Sequence, residues 1–291
     1  MVTETQRPDV ERRIGERRRT QQASLPALEP REAPPEFVAY ARTHIVLPAY
    51  NEALSLPPLL ERLASMDEVW GRPVTVWVVD DGSTDDTAAI AGRGHPTLPV
   101  ELIEHPENRG LGQAVHSGLR TVAAAAADDD IVVVMDADDT HDVMLVPRLV
   151  GAIEDGADVA IASRFVAGGD DTTAPTFRRA LSRGAAAVFR VALPLDGVHD
   201  FTSGYRAYRV AVLRRVMRHY GERLIEEQGF ACMVELLLKL RHCHPAIAEV
   251  PLVLRYDRKG GPSKLKLGRT IRQYLTLLVR DRVSPPPFHG I

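Results

Sequence analysis

A chain of 291 residues, 45% hydrophobic and 26% charged, can bury a sizeable core as one large domain or two small ones. Two cysteines exclude a disulfide framework and fit a reducing cytoplasm, no apolar run nears the ~18 residues of a membrane-spanning helix, and the first residues lack a secretory signal. The net charge of −3 hides an asymmetry: nine Lys or Arg face two Asp between Arg255 and Arg282, a local +7, which leaves −10 for the rest. A basic end on an acidic body suits an anionic partner, either a membrane surface or a phosphate-bearing substrate.

Residues 1–40 are polar and Pro-rich, with five Arg between Arg12 and Arg19, and read as a disordered tail. Those arginines suit acidic lipid or nucleic acid; a solvated tail is the reading taken, with no nucleic-acid partner. From Thr43 onward strand and helix signals alternate. Strands are expected at Thr43–Leu47, Val74–Val79, Val100–Ile103, Ile131–Met135 and Val159–Ala162. Helices are expected between them at Leu54–Ala64 (Ser55 as N-cap), Thr84–Ala91, Gly110–Ala126 and Val143–Ile153. Such repetition implies an α/β domain over 41–255, with a Rossmann-like, mostly parallel sheet flanked by helices. Past Arg164 the alternation stops. Helices follow at Arg178–Leu193, Val210–Arg218 and Phe230–Arg241, with a strand at Ile247–Leu254. A basic segment, 256–291, carries an amphipathic helix from Leu265 to about Val279.

Polar groups gather where the strands end, and that is where open α/β sheets bind ligands. After the first strand comes Pro48-Ala49-Tyr50-Asn51-Glu52, and after the second Asp80-Asp81-Gly82-Ser83-Thr84-Asp85. An aspartate there can accept from a base N–H or a ribose hydroxyl, and Tyr50 offers a ring to stack on a base. Asp81-Gly82-Ser83 reads equally as a plain turn and N-cap. The third strand leads to Arg109-Gly110-Leu111-Gly112, where glycines at a helix start admit a ligand and Arg109 can pair with a phosphate. Ordinary loop-to-helix punctuation explains the same residues. The most specific signal is Asp136-Ala137-Asp138 after the β-branched run Ile131–Met135. Two carboxylates at i and i+2 after a buried strand repel each other unless a divalent cation is shared between them. Mg²⁺ or Mn²⁺ takes one or two carboxylates with phosphate oxygens and water. The competing reading is a helix N-terminus decorated with acids.

Taken in order, these strand-end motifs resemble a family 2 glycosyltransferase of the GT-A fold. The later pieces are similar to the dolichyl- or polyprenyl-phosphate mannose synthases: Ala162-Ser163-Arg164-Phe165, Asp200-Phe201-Thr202-Ser203-Gly204-Tyr205-Arg206, Gly229-Phe230 with Glu235, and Glu249-Val250-Pro251 leading to Arg258, Gly261, Ser263 and Lys264. The resemblance runs from about residue 43 to 275. It implies that Pro48, Tyr50, Glu52 and Asp80 hold the base and ribose of the nucleotide-sugar donor, and that Asp136 and Asp138 hold the metal that bridges its diphosphate; Asp81, Arg109 and Gly112 are further donor-side candidates. Arg164, Arg178 or Arg179, Arg258 and Lys264 would form the cationic clamp for the diphosphate and acceptor phosphate. The family often places Gln two residues after the second metal aspartate; this chain has Thr140, a metal ligand directly or through water, and Asp139 where a neutral residue is usual.

The chemistry so implied is an inverting transfer, mannose from GDP-mannose being the leading case, in which negative charge grows on the leaving diphosphate and is stabilised by metal and arginines. A polyprenyl phosphate acceptor is already anionic and needs no base. A soluble alcohol or specialised-metabolite acceptor, the alternative, needs one, and Asp200 and Glu235 are then the candidates. A nucleotidyltransferase is disfavoured because the first strand lacks a Gly-rich loop, and a non-catalytic scaffold because Asp136 and Asp138 are both in place. The C-terminal helix, with Leu267, Ile271, Tyr274, Leu275 and Leu278 on one side among basic residues, suits either an in-plane membrane helix or one docked on its own domain. The expectation is a cytoplasmic protein held peripherally at the inner face of the membrane, alone or through a membrane-protein partner.

Overall fold

A computed structural model describes residues 41–171, 176–192, 195, 197–254 and 267–283, all within the unit Tyr40–Ile291; the other unit, Met1–Ala39, lies outside them. Seven strands form one sheet: β1 (Thr43–Ala49), β2 (Val74–Asp80), β3 (Val100–Glu104), β4 (Ile131–Val134), β5 (Val159–Ser163), β6 (Arg206–Arg209) and β7 (Ile247–Pro251). Their order is β3-β2-β1-β4-β6-β5-β7. Strands β1 to β4 run parallel, β5 is parallel to β7, and β6 is antiparallel to both β4 and β5. The chain turns back beside β1 to make β4, which places the switch in winding direction, and the crevice that goes with it, between these two strands.

Every residue of β1, β4 and β5 is buried, as expected of β-branched strands covered on both faces. Helices α1 (Leu56–Trp70), α2 (Thr87–Arg93) and α4 (Val146–Glu154) cover the face of Ile45, Leu47, Val76 and Val133. The opposite face, with Val46, Val79, Val132 and Val134, is covered by α3 (Leu111–Ala125), α6 (Val210–Tyr220) and α7 (Ala231–Leu240). Phe189 of α5 (Thr176–Ala192) and Leu277 of α8 (Leu267–Val283) join that second core. Prolines 57 and 58 set the first turn of α1, where a missing N–H costs nothing. Gly71, at φ 66°, ends the helix with its N–H bonded to the Asp67 carbonyl at 2.8 Å.

Sequence periodicity does not show β6. Arg206-Ala207-Tyr208-Arg209 lacks an apolar run, yet Arg206 is fully buried, with its guanidinium donating to the carbonyls of Phe201 and Met233, both at 2.7 Å. Because β6 is reversed, its N-terminal end lies beside the carboxyl ends of β4 and β5. Loop 197–205 therefore joins the same rim as the strand-end motifs. α8 packs its inner side onto the domain: Leu277 is buried and Tyr274 meets Phe189 edge-on, centroids 5.0 Å apart. No helix among the described residues is long and apolar enough to cross a membrane.

Candidate active site

The rim at the carboxyl ends of β2, β1 and β4 holds the nucleotide-side residues. Pro48 is buried within β1, and Tyr50 and Glu52 are half-buried just past its end. Asn51, at φ 53°, turns the chain there. Its N–H donates to Ser83 Oγ at 2.9 Å, and its Oδ1 accepts from the Thr84 N–H at 2.8 Å, which ties the β1 and β2 loops together.

The two adjacent aspartates at the end of β2, Asp80 and Asp81, face different tasks. Asp81 is buried, and its carboxylate is taken up by the chain. Its Oδ1 meets His105 Nδ1 at 2.7 Å and the Arg109 N–H at 3.0 Å, while Oδ2 accepts from the Gly110 N–H at 2.8 Å. Asp80 is equally buried. Its Oδ2 accepts from the Ser83 N–H at 3.2 Å, but its Oδ1 has no hydrogen-bond partner among the described residues. A buried carboxylate oxygen left unbonded is costly, which makes this atom a candidate for contact with a ligand.

The Arg109–Gly112 turn is shaped by backbone. A Cβ on Gly110 would lie 2.6 Å from the Gln228 carbonyl oxygen, and one on Gly112 would lie 2.9 Å from the Glu227 carbonyl carbon. The Gly112 N–H also donates to Gln228 O at 3.1 Å. The two glycines thus make room for segment 225–228, and the exposed Arg109 guanidinium turns along α3 to Gln113, 3.3 Å away.

Asp136 and Asp138 follow β4, both half-buried. Beside Asp136, Gly204 at the start of β6 leaves room: a Cβ there would stand 3.7 Å from Asp136 Oδ1. Asp136 N–H faces His141 Nδ1 at 3.3 Å, and the His141 ring stacks on Tyr205 at 4.7 Å. Asp139 adopts φ 65°, which aspartate tolerates, and pairs with Arg62 of α1. That turn brings Thr140 back over the pair. Its hydroxyl donates to Asp138 Oδ1 at 2.7 Å, so Thr140 orients the carboxylate. No group of three or more His, Cys, Asp or Glu among the described residues could hold a metal by itself. A two-carboxylate, all-oxygen site does fit a hard divalent cation whose other ligands come from a diphosphate and water.

Arg164 leaves β5 toward the same rim. Its Nε and one terminal nitrogen donate to the two oxygens of Asp200 at 2.7 and 2.8 Å, and the latter nitrogen also reaches Thr202 Oγ1 at 2.7 Å. Asp200 is fully buried and also accepts the N–H groups of Thr202 and Ser203, at 3.2 and 3.1 Å. Burial alone would raise its pKa, but the Arg164 charge and these bonds outweigh it and hold the carboxyl below the usual range. Burial likewise opposes charge on Arg164, and Asp200 outweighs it. Glu249, to which sequence reasoning assigned no role, accepts the N–H groups of His199 and Asp200 at 2.8 Å each and so fixes the loop beneath.

Glu235 is equally committed. Its Oε2 accepts the N–H groups of Glu226 and Glu227, both at 2.8 Å; its Oε1 meets Lys239 Nζ at 2.8 Å and the Arg280 guanidinium at 2.7 Å. Arg179 lies 3.5 Å from Asp171, which Arg183 also approaches at 3.1 Å. The Arg178 side chain, Arg258 and Lys264 lie outside the described residues.

A doubly wound sheet with two carboxylates after β4, a buried aspartate after β2 and a fixed arginine after β5 defines a GT-A glycosyltransferase. The model of the Glycosyl transferase family 2 matches residues 44–217, and the chain belongs to that family. It is 35% identical to a dolichol-phosphate mannosyltransferase of Pyrococcus furiosus, over 82% of this chain and 63% of that protein, so it spans less than two thirds of that relative. It is 33% identical to a polyprenol monophosphomannose synthase of Mycolicibacterium smegmatis, over 80% of this chain and 83% of the relative. With an undecaprenyl-phosphate mannosyltransferase of Micrococcus luteus it shares 35% identity, over 78% and 88% of the two chains. Among solved structures, glucosyl-3-phosphoglycerate synthase of Mycobacterium tuberculosis, in complex with Mn²⁺, uridine diphosphate and phosphoglyceric acid, matches with a TM-score of 0.59 at 24% identity. The match covers 86% of this chain and 81% of that one, a likeness of fold.

Proposed function

We propose that the protein transfers mannose from GDP-mannose to a polyprenyl phosphate with inversion at the sugar carbon, aided by Mg²⁺ or Mn²⁺. The observation that carries this reading is the lack of a usable base in the two candidate carboxylates. An alcohol acceptor must lose a proton, and a general base must reach it through a free oxygen. Asp200 and Glu235 have all their oxygens engaged by cations and backbone N–H groups. An acceptor that arrives anionic removes the need, and the relatives named for dolichol-, polyprenol- and undecaprenyl-phosphate acceptors point to a lipid phosphate.

In this reading Asp80 Oδ1 accepts from the base or ribose, and Tyr50 and Glu52 line the nucleotide beside it. Asp136 and Asp138 hold the cation, which supplies Lewis-acid stabilisation of the diphosphate when bound, while Thr140 keeps Asp138 turned toward it. Arg164, pinned by Asp200, offers its charge to the leaving diphosphate or the attacking phosphate, and Arg179, Arg258 and Lys264 add to that clamp. Positioning and electrostatics then carry most of the rate. The outer side of α8 exposes Ile271, Leu275, Val279 and Val283 at four-residue steps, with Arg282 exposed beside them. This row supports peripheral contact with an anionic membrane on the cytoplasmic side, where the lipid acceptor resides.

The test is transfer of radiolabelled mannose from GDP-mannose into an organic-extractable polyprenyl phosphate product, with and without Mn²⁺. Label moving only to water-soluble alcohols refutes the acceptor, and label moving only from UDP-sugars refutes the donor.

A further inference from the structure

A continuous set of hydrogen bonds joins the C-terminal helix to the donor side of the rim. Gln273 of α8 donates to Glu227 Oε2 at 3.0 Å, and Arg280 donates to Glu235 at 2.7 Å. Glu235 in turn grips the N–H groups of Glu226 and Glu227. The other edge of that segment supports α3: Gln228 O accepts from Gly112 N–H at 3.1 Å, and Ile225 O accepts from Gln113 Nε2 at 3.0 Å. The turn before α3 is bonded to Asp81, and Asp81 adjoins Asp80.

Mere docking of α8 does not require this arrangement. Leu277 and the Tyr274–Phe189 contact already supply apolar packing. A carboxylate 1% exposed that meets two cations and two backbone N–H groups stabilises less than apolar packing of the same volume would, but it fixes geometry. Three acids crowd this segment. Burial, then the charge of Glu235, pushes the Glu227 carboxyl above its ordinary range. Without Arg280 their repulsion is less balanced and the segment is free to shift.

We infer that Glu235 is a positioning residue for donor binding: it fixes segment 225–228, on which the Arg109–Gly112 turn rests, and α8 holds it there through Arg280 and Gln273. A helix whose outer side is offered to the membrane is thereby linked to the nucleotide end of the site. The inference rests on the assignment of Asp80 to the donor nucleotide.

Glu235→Gln would also remove the charge that faces buried Lys239 at 2.8 Å and leave it Glu226 at 3.3 Å, so the test uses the helix side. Arg280→Ala removes, from a half-exposed position, the hydrogen bond to Glu235 and the longer ion pair to Glu227 at 4.0 Å. Arg272→Ala removes the same charge from an exposed position that makes no ion pair among the described residues. Backbone hydrogen exchange is followed in the ligand-free full chain, and GDP and UDP affinities are measured with Mn²⁺ by calorimetry. Arg280→Ala is expected to speed exchange of the Gly110 and Gly112 amides and to weaken nucleoside diphosphate binding about tenfold, the worth of one charge-assisted hydrogen bond. Arg280→Lys recovers most of that loss, and Arg272→Ala changes neither readout. Unchanged exchange at the turn in Arg280→Ala overturns the inference, as does an equal loss in Arg272→Ala. A wild-type protein that binds neither GDP nor UDP sinks the proposed function, and the donor role of Glu235 with it.

Discussion

Gly112 is the second residue of α3, a place where alanine ordinarily stabilises by up to about 1 kcal/mol through helix propensity. The surroundings reverse the sign. An added Cβ would lie 2.9 Å from the Glu227 carbonyl carbon and nearer still to its oxygen, inside the 3.0 Å that Cβ atoms essentially never cross. Neither partner yields cheaply. Glu227 is tied by its own N–H to Glu235 at 2.8 Å, and the preceding Gly110 is tied to Asp81 at 2.8 Å. Overpacking costs about 1–3 kcal/mol, and loosening one hydrogen bond to a charged group costs about 1.5–3 kcal/mol more. Set against the propensity gain, Gly112→Ala should destabilise by about 2–4 kcal/mol. At roughly 2–4 °C per kcal/mol for a domain of this size, the melting temperature falls by about 5–15 °C. Differential scanning calorimetry beside Gly184→Ala provides the contrast, because a Cβ at Gly184 in α5 meets nothing within 4 Å and should raise the melt by about 1–4 °C. If Gly112→Ala melts at or above the wild type, the close approach of the turn and segment 225–228 is refuted.

Asp80→Asn should weaken nucleoside diphosphate binding at least about tenfold while the melting temperature holds or rises, because it neutralises a buried oxygen the fold leaves unbonded; calorimetric titration paired with a thermal melt reads both. Asp200→Asn should cost about 3 kcal/mol or more at neutral pH by leaving Arg164 without its counter-charge. The folded-state pKa of Asp200 is depressed, so its contribution is fully present above about pH 4 and is lost as pH falls through the folded value. Acid melts between about pH 4 and 2 should therefore decline less steeply in the variant than in the wild type. Thr140→Val should change Mn²⁺ affinity, measured by electron paramagnetic resonance in the presence of GDP, by less than about tenfold, since its hydroxyl serves Asp138; Asp138→Asn should abolish it. Chelation with EDTA should stop transfer, and added Mn²⁺ should restore it.

The half of the fold that sequence conveys well is built from β-branched runs. Ile131–Val134 is β-branched throughout, and it and the apolar run Val159–Ser163 are buried along their whole length. β6 escapes the same reading because its arginines look like surface residues; their guanidinium groups donate to carbonyls of Phe201, Met233 and Ile153, which only the folded chain brings near. The strand-end motifs mark the rim but not the direction each side chain takes. Asp80 and Asp81 are neighbours of one chemical type, and what separates them is that Asp81 meets His105 and the Arg109–Gly110 backbone while Asp80 Oδ1 has no hydrogen-bond partner among the described residues. The glycines at 110 and 112 answer to segment 225–228, more than a hundred residues away. Periodicity carries no record of that distance, although the tertiary packing depends on it.

The reversed strand also sets the order in which the molecule can be completed. Among the described strands β5 pairs with β6 and β7, both of which follow it in the chain. As the polypeptide emerges, Val159–Ser163 has two open edges and β4 has one until residue 209 is available, some 45 residues later. Paired strand edges are protected from other chains and open ones are not. Nascent chains halted before β6 should thus be the most prone to aggregate, and the closing of this gap, a non-local pairing, is the natural slow step in assembly of the sheet.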